Sequence, residues 1–374
     1  MGETIGVHSN QIFNMIIGLF LVVAVLFDVF ETVVVPNLGH RHFRLTSLLV
    51  RRLLWVCWRH ATIFFRTAAE KRDFLSLYAP TSIVVSLWTW LIVFLLGFAF
   101  IVMSVEHGVS PALDNLNTAF YFAGSAILTV GFGDIVPVGP AMRILVICGT
   151  ICGLTIMALV TSLVFSIHSH YQSRERQILL LEGRAGIPPC GLTILENHAK
   201  KRLIISLEEF FKRSEDWFAE VVTSHVTYPF LLFFRSHSFG NSWVTSIGAV
   251  MDASLITQTI IDINLGGDSI LTHRMGLRIL LEVDKFYHWQ APKYDAEVER
   301  EVFHALRERL SAAGYKLIEE PLSWERFSAT RAEYLPKLVS LARYMAMPVP
   351  SLLPLPEEQV EGEMLKVYSS YDRL

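Results

Sequence analysis

Cysteine is scarce in this chain, and what there is forms no pattern. The four residues Cys57, Cys148, Cys152 and Cys190 show no CxxC spacing, so neither a disulfide framework nor a zinc framework is implied. Charge is also thin, at 18% of 374 residues against 52% hydrophobic, with a net charge of −3. A near-neutral chain has no electrostatic footprint for nucleic acid, so no nucleic-acid partner is expected. No G-x-G-x-x-G follows a strand-like stretch, and no grouping of nucleophile, base and orienter reads as an enzyme. His225, His237 and His273 lack ligand spacing. The first apolar run is not a cleavable leader: it is too long, has no preceding basic residues and lacks a small-residue cleavage site.

What is abundant is apolar length. Mean hydropathy is +0.42, too apolar for one soluble domain and too mixed for a protein wholly in lipid, which divides the chain into a membrane half and a soluble half. A first span is predicted from Gln11 to Val35, ended by Pro36. It carries Asp28 and Glu31 on one helix face. Such acids either lie near the inner surface, bonded to the arginines that follow, or serve gating or proton sensing. From Arg41 to Arg72 there are eight Lys/Arg and one acid, Glu70, which places that segment in the cytoplasm. Leu45 to Phe65 is apolar but holds Arg51, Arg52 and Arg59, so it reads as lying in the interface, with spanning as the alternative. A second span covers Thr81 to Val105 and a third Ala141 to His168. The N-terminus is then outside, and the protein is a multi-pass protein of the cell membrane.

Between the second and third spans stands the run Thr129, Val130, Gly131, Phe132, Gly133, Asp134. Two glycines allow backbone angles that residues with a Cβ resist, so successive carbonyls can point to one side. Several such strands around an axis would stack rings of oxygens that replace the water shell of a dehydrated cation. An apolar, small-residue stretch from Asn117 to Leu128 precedes the run as a short pore helix.

These residues resemble the potassium-channel pore family, and from Tyr121 through Thr161 the spacing is similar to that of bacterial two-transmembrane members. The resemblance implies an all-α, pore-loop membrane channel. K+ would be held at Thr129, Val130, Gly131 and Phe132. One chain supplies one filter sequence, so the ring requires a homotetramer in contact with membrane lipids. No cofactor is implied beyond the permeant ion, and any regulatory ligand is left open. The family's hinge glycine falls on Gly153, and Gly149 makes a GxxxG pair with it, which reads equally as close helix packing. Leu154, Met157, Thr161 and Phe165 form one stripe, expected to line the cavity, with Phe165 as a hydrophobic gate; simple packing is the alternative. Two departures stand out. Leu128 replaces a common Thr, and Ser125 replaces the pore-helix Glu that holds the filter aspartate, which leaves Tyr121 as the candidate partner of Asp134. No regularly spaced arginines suggest a voltage sensor, and the nucleotide-binding regulatory domain common on such channels is not supported.

The division expected is 1–72 (first span and basic interfacial segment), 73–171 (pore domain) and 172–374 (a mainly helical cytoplasmic domain). In the last part helices are predicted at Leu203–Val222, Trp243–Ile263 (capped by Asn241-Ser242), Ser269–Tyr287, Ala296–Ala313 and Glu325–Met345, with an extended proline-rich tail from Pro348 to Pro356. Other readings are a weakly selective cation channel, or a receptor whose C-terminal half binds a ligand or catalyses a reaction.

Overall fold

A computed structural model describes residues 2–35, 53–105, 108–200, 206–237, 240–265, 267–287 and 300–356, with 359, 362 and 365. The fold is all-α. Among the described residues, strand is confined to a two-residue ladder, β1 (Val109–Ser110) with β2 (Val136–Pro137), and one bridge between Ile261 and Leu317. Contacts divide the chain into two compact units, one of Met1–Val56 with Pro80–Ser166, the other of Cys57–Ala79 with Ile167–Leu374.

The first unit is built on helices long and apolar enough to cross a membrane. They are α1 (Gly2–Val33), α4 (Tyr78–Ser104) and the first part of α6 (Pro140–Ala185), with the short α5 (Leu116–Ile127) between the last two. In α1 the usual arrangement of a water-soluble helix is inverted. Ile12, Phe13, Ile16, Phe20, Phe27 and Phe30 are exposed, while Val25, Asp28, Val29 and Glu31 are buried. An outward stripe of this kind suits lipid, where polar groups must be satisfied inside the protein. Asp28 Oδ2 accepts from Trp90 Nε1 of α4 at 2.6 Å. Of the arginines expected to bond these acids, those at 41, 44, 51 and 52 lie outside the described residues. The helices meet where neither has a side chain: a Cβ on Gly18 would stand 2.6 Å from the Gly97 carbonyl oxygen. Small residues at such a crossing let two backbones touch and gain dispersion contacts that lipid cannot match.

The interfacial segment is described only from Leu53 onward. It forms α2 (Trp55–Ala61), a 3-10 turn (Thr62–Phe64) and α3 (Ala68–Ser76). The rest of the Leu45–Phe65 segment lies outside the described residues.

The second unit is organised around α9 (Trp243–Thr259), in which every residue but Gln258 is buried. A helix apolar on all sides belongs at the centre of a bundle. Around it pack α7 (Gly191–Lys200), α8 (Ser206–Thr227), α10 (Asp268–Tyr287) and α12 (Leu322–Tyr344), while α11 (Arg300–Ala312) lies on α7. Ser242 caps α9 as expected: its hydroxyl accepts from Thr245 N at 3.0 Å. The helix ends earlier than predicted, at Thr259. Strand-like pairing takes over, with Ile318 N donating to Ile260 O and Asp262 N to Lys316 O, both at 2.8 Å. The single acid of α9, Asp252, accepts from the Tyr334 hydroxyl and from Arg331 Nε at 3.2 Å. Burial and that carboxylate hold the Tyr334 hydroxyl well above its ordinary range.

The third apolar helix does not end near His168. It runs unbroken through Tyr171–Ile178 to Ala185, because the polar residues there find partners in the second unit. Arg174 is buried, with Nη1 donating to Leu231 O at 2.9 Å and Nη2 to Phe234 O at 2.8 Å. His225 Nε2 lies 3.2 Å from Arg174 Nη1 and its Nδ1 2.9 Å from the Val221 carbonyl. Burial, then the neighbouring guanidinium charge, lowers the His225 pKa well below its ordinary value. Burial does the same to His273, against the opposing pull of Asp252.

The sign of the consequence is fixed. An unfolded histidine takes up a proton below about pH 6.5, whereas His225 in the folded unit does not, so stability is lost as pH falls through that value. The expected slope is up to about 1.4 kcal/mol per pH unit for one such group. Thermal unfolding of the full chain in detergent between neutral and mildly acidic pH measures it. His225→Gln is expected to flatten the acid limb by one proton's share, and an unchanged limb would remove His225 from this role.

Candidate pore and filter

The filter run begins where α5 ends. Asn115 caps that helix, its Oδ1 accepting from Thr118 N at 2.9 Å. At the other end the Ala126 carbonyl accepts from Thr150 Oγ1 of α6 at 3.3 Å, a contact that sequence reasoning missed. Beyond the filter, β2 pairs with β1, and Val138 N donates to Gly108 O at 2.8 Å. The run is thus tethered at both ends.

Within it the backbone alternates. Thr129, Gly131 and Gly133 have φ of 57°, 64° and 78°, while Val130 and Phe132 are absent from the positive-φ residues. Alternation of this kind is the backbone pattern that lets successive carbonyls turn to one side. Glycine takes the left-handed region without penalty, but Thr129 does not: the Cβ clash there costs about 1–2 kcal/mol. That strain must be held by neighbours.

Ser125 is the main one. Its carbonyl accepts from Val130 N at 3.0 Å and Gly131 N at 3.1 Å. Its hydroxyl accepts from Phe132 N at 3.3 Å. These bonds take the amides that face away from the carbonyl side. Tyr121 supplies the outer support: its hydroxyl donates to Asp134 Oδ2 at 2.8 Å, and its ring lies parallel to Phe132, centroids 5.9 Å apart. Asp134 Oδ1 also accepts from Ile135 N at 3.0 Å. Of the three residues named as filter support, Ser125 bonds amides of the run, Tyr121 stacks on Phe132, and Asp134 bonds Tyr121 and Ile135.

Leu154, Met157, Thr161 and Phe165 are all exposed in one copy of the chain, Phe165 at 70%. Thr161 Oγ1 is satisfied within the helix, donating to Met157 O at 2.8 Å. The two glycines of α6 face elsewhere. A Cβ on Gly149 would meet the Phe98 ring at 2.3 Å, and one on Gly153 would meet Ile127 Cγ2 at 2.5 Å. Both therefore seat α6 against α4 and α5, as the packing alternative anticipates, and α6 remains one helix through them. Among the described residues no three His, Cys, Asp or Glu side chains gather to hold a metal.

Residues 83–169 match the family described as ion channel. The voltage-gated potassium channel Kch of Escherichia coli K12 is 43% identical over 54 residues, 14% of this chain and 13% of that protein. The hyperpolarization-activated voltage-gated potassium channel of Methanocaldococcus jannaschii is 44% identical over 59 residues, 16% of this chain and 27% of that one. The human delayed-rectifier potassium channel regulatory subunit KCNS2 is 23% identical over 124 residues, 31% of this chain and 26% of that one. The chain thus spans little more than a quarter of these relatives at most. No solved structure matches it. The matched segment is similar to the pore segments of potassium channels.

Tyr121→Phe keeps the ring and removes one charge-assisted donor. The expected outcome is severalfold faster hydrogen exchange at the amides of 131–135, with the helices unchanged. Equal exchange in both proteins would show that Tyr121 does not brace the filter.

Proposed function

We propose that four copies of this chain form a K+-selective channel of the cell membrane, each contributing one filter strand. The carrying observation is the alternation of φ at Thr129, Gly131 and Gly133. Four such strands would place carbonyl rings at Thr129, Val130, Gly131 and Phe132 around dehydrated K+. One copy leaves Val130 and Phe132 more than half exposed, along with the stripe from Leu154 to Phe165. Those surfaces are accounted for if fourfold neighbours and an aqueous cavity adjoin them. The excess of basic residues between Arg41 and Arg72 puts that segment, and the second unit, in the cytoplasm with the N-terminus outside.

In this reading Phe165 forms the lower constriction. Four benzyl side chains converging near the end of the span can close a path by excluding water, without contact with the filter. The helix that carries the stripe continues to Ala185 in the second unit, so a change in that unit can reach the constriction through one continuous element. Selectivity itself needs only residues 83–169.

Selectivity is tested by reversal potentials of the reconstituted protein, with strong preference for K+ over Na+ expected. Gly131→Ala should abolish selective current while native mass remains that of a tetramer, because a Cβ resists the left-handed backbone. Equal treatment of the two ions by the unmodified protein, or a monomeric or dimeric mass in mild detergent, would refute the proposal. Phe165→Ala is expected to raise basal current at unchanged selectivity. Identical basal current at matched expression would take the gate away from Phe165.

A further inference from the structure

Between Cys57 and Ser76 aromatic side chains pack on one another. Trp58 stacks on Phe74, with centroids 4.8 Å apart and planes 8° apart, and its Nε1 donates to the Phe74 carbonyl at 3.1 Å. Phe65 turns onto the same Phe74 ring at 4.8 Å, and Tyr78 closes edge-on against Trp58. The turn between the helices is hydrogen-bonded: Thr62 Oγ1 donates to Arg59 O at 2.7 Å and Phe65 N to Thr62 O at 3.1 Å. Thr67 and Glu70 form a capping box for α3, and the Glu70 carboxylate also accepts from Arg66 N at 3.1 Å.

With Phe65 and Trp58 committed inward and the backbone closed, Ile63 and Phe64 are left projecting, 66% and 84% exposed. Two adjacent large apolar side chains held out on a braced turn form a contact surface. The charge around them is mainly basic. From Leu53 to Ser76 stand Arg59, Arg66, Lys71 and Arg72 against Glu70 and Asp73, and the Glu70 carboxylate is turned onto backbone amides. The apolar run of α4 follows directly in the chain.

We propose that the Thr62–Phe65 turn is a membrane-docking wedge. Ile63 and Phe64 enter the boundary between headgroups and acyl chains of an anionic leaflet, with Arg59 and Arg66 at the level of the lipid phosphates. Apolar tips supply insertion, and long basic side chains can lay their stems along the boundary with their charges in the headgroups. The turn belongs to the second unit, so lipid charge would act on that unit. The inference rests on the membrane reading of the chain and not on conduction through it.

The test places a nitroxide at position 64 (Phe64→Cys), and separately at 63 (Ile63→Cys), in the full chain with its four native cysteines replaced by alanine. Glu209→Cys, an exposed position of α8, serves as the water-facing reference. The chains are reconstituted in phosphatidylcholine vesicles with or without phosphatidylglycerol, and collisions with oxygen and with a water-soluble nickel chelate are compared. With phosphatidylglycerol, the oxygen-to-nickel ratio at 63 and 64 is expected to exceed the reference severalfold. Arg59→Gln with Arg66→Gln should bring it down to the value seen without phosphatidylglycerol. Nickel access equal to the reference in both lipids overturns the wedge. Shielding from both reagents overturns it in favour of a protein cover, such as a second copy. Equal insertion in both lipids overturns the requirement for anionic lipid. None of these readings depends on ion flux, so a failed selectivity assay and a failed wedge are told apart.

Discussion

Parallel carbonyl dipoles repel one another, and the rest of the first unit answers that constraint. A backbone that turns every oxygen to one side gives up the mutual hydrogen bonding of ordinary strands and leaves its amides facing the other way. Buried amides without acceptors are costly. Here Ser125 covers three successive amides, at Val130, Gly131 and Phe132, with two oxygen atoms. Its position, close to the end of α5, lets one residue do this. The carbonyl of a helix's last turn has no intrahelical partner, so the filter takes what α5 leaves over. That arrangement requires α5 to stay in register with the run that follows, which explains the tethers at Asn115, Ala126 and Val138. A glutamate at position 125 would offer a carboxylate to Asp134. A serine offers its hydroxyl to the filter amide, and the aspartate turns to Tyr121.

The two units satisfy their polar groups by opposite means. In the first, exposed surface is apolar and carboxylates turn inward, as Asp28 does toward Trp90. In the second, exposed helix faces carry charges, as with the Arg213–Glu209 pair, and buried charged groups are held in pairs, as with Arg174–Glu175 and Arg331–Asp252. Asp252, Arg331 and Tyr334 form one such cluster across α9 and α12. A buried ion pair seldom adds net stability over an apolar substitute, but its geometry penalises other registers of packing. With α9 buried on every face, hydrophobic burial alone specifies its rotation only weakly. Asp252 is acceptable only where Arg331 and Tyr334 meet it.

How much of this the sequence made legible follows from the range of the interactions involved. The filter, the three membrane-capable helices and the cap of α9 depend on neighbours in sequence, and composition and spacing expose them. Tyr121 and Ser125 could be named as candidate supports because pore-loop contacts span few residues: Ser125 stands three positions before Leu128, and the filter run follows at once. Thr150 was not readable, since a Ser/Thr in an apolar helix normally bonds its own preceding turn, and Thr150 does so to Val146 as well as reaching Ala126. The end of α9 at Thr259 was missed for the same reason. Nothing local stops the helix before Gly266, and the cause is a pairing with Ile318, more than fifty residues away.

The unbroken course of α6 is the clearest instance of a distant cause. From His168 to Arg176 the residues are polar, and a polar run after an apolar span reads as a departure from the membrane and a change of structure. Polarity, however, does not break a helix. Only unsatisfied backbone, proline or glycine does so, and this stretch has neither residue. The open question in the sequence is what pays for burying Arg174. The segment around 231–234 does so: the carbonyls of Leu231, which also accepts from Phe234 N at 3.2 Å, and of Phe234 accept from the guanidinium. A neutral His225 beside it adds an acceptor and no second charge, while Glu175 supplies the counter-ion at 3.1 Å. Replacing Arg174 by an apolar residue would remove its donors from the Leu231 and Phe234 carbonyls, and replacing His225 by a lysine would set two cations together. The helix therefore continues because a charge within it is the cap of something else.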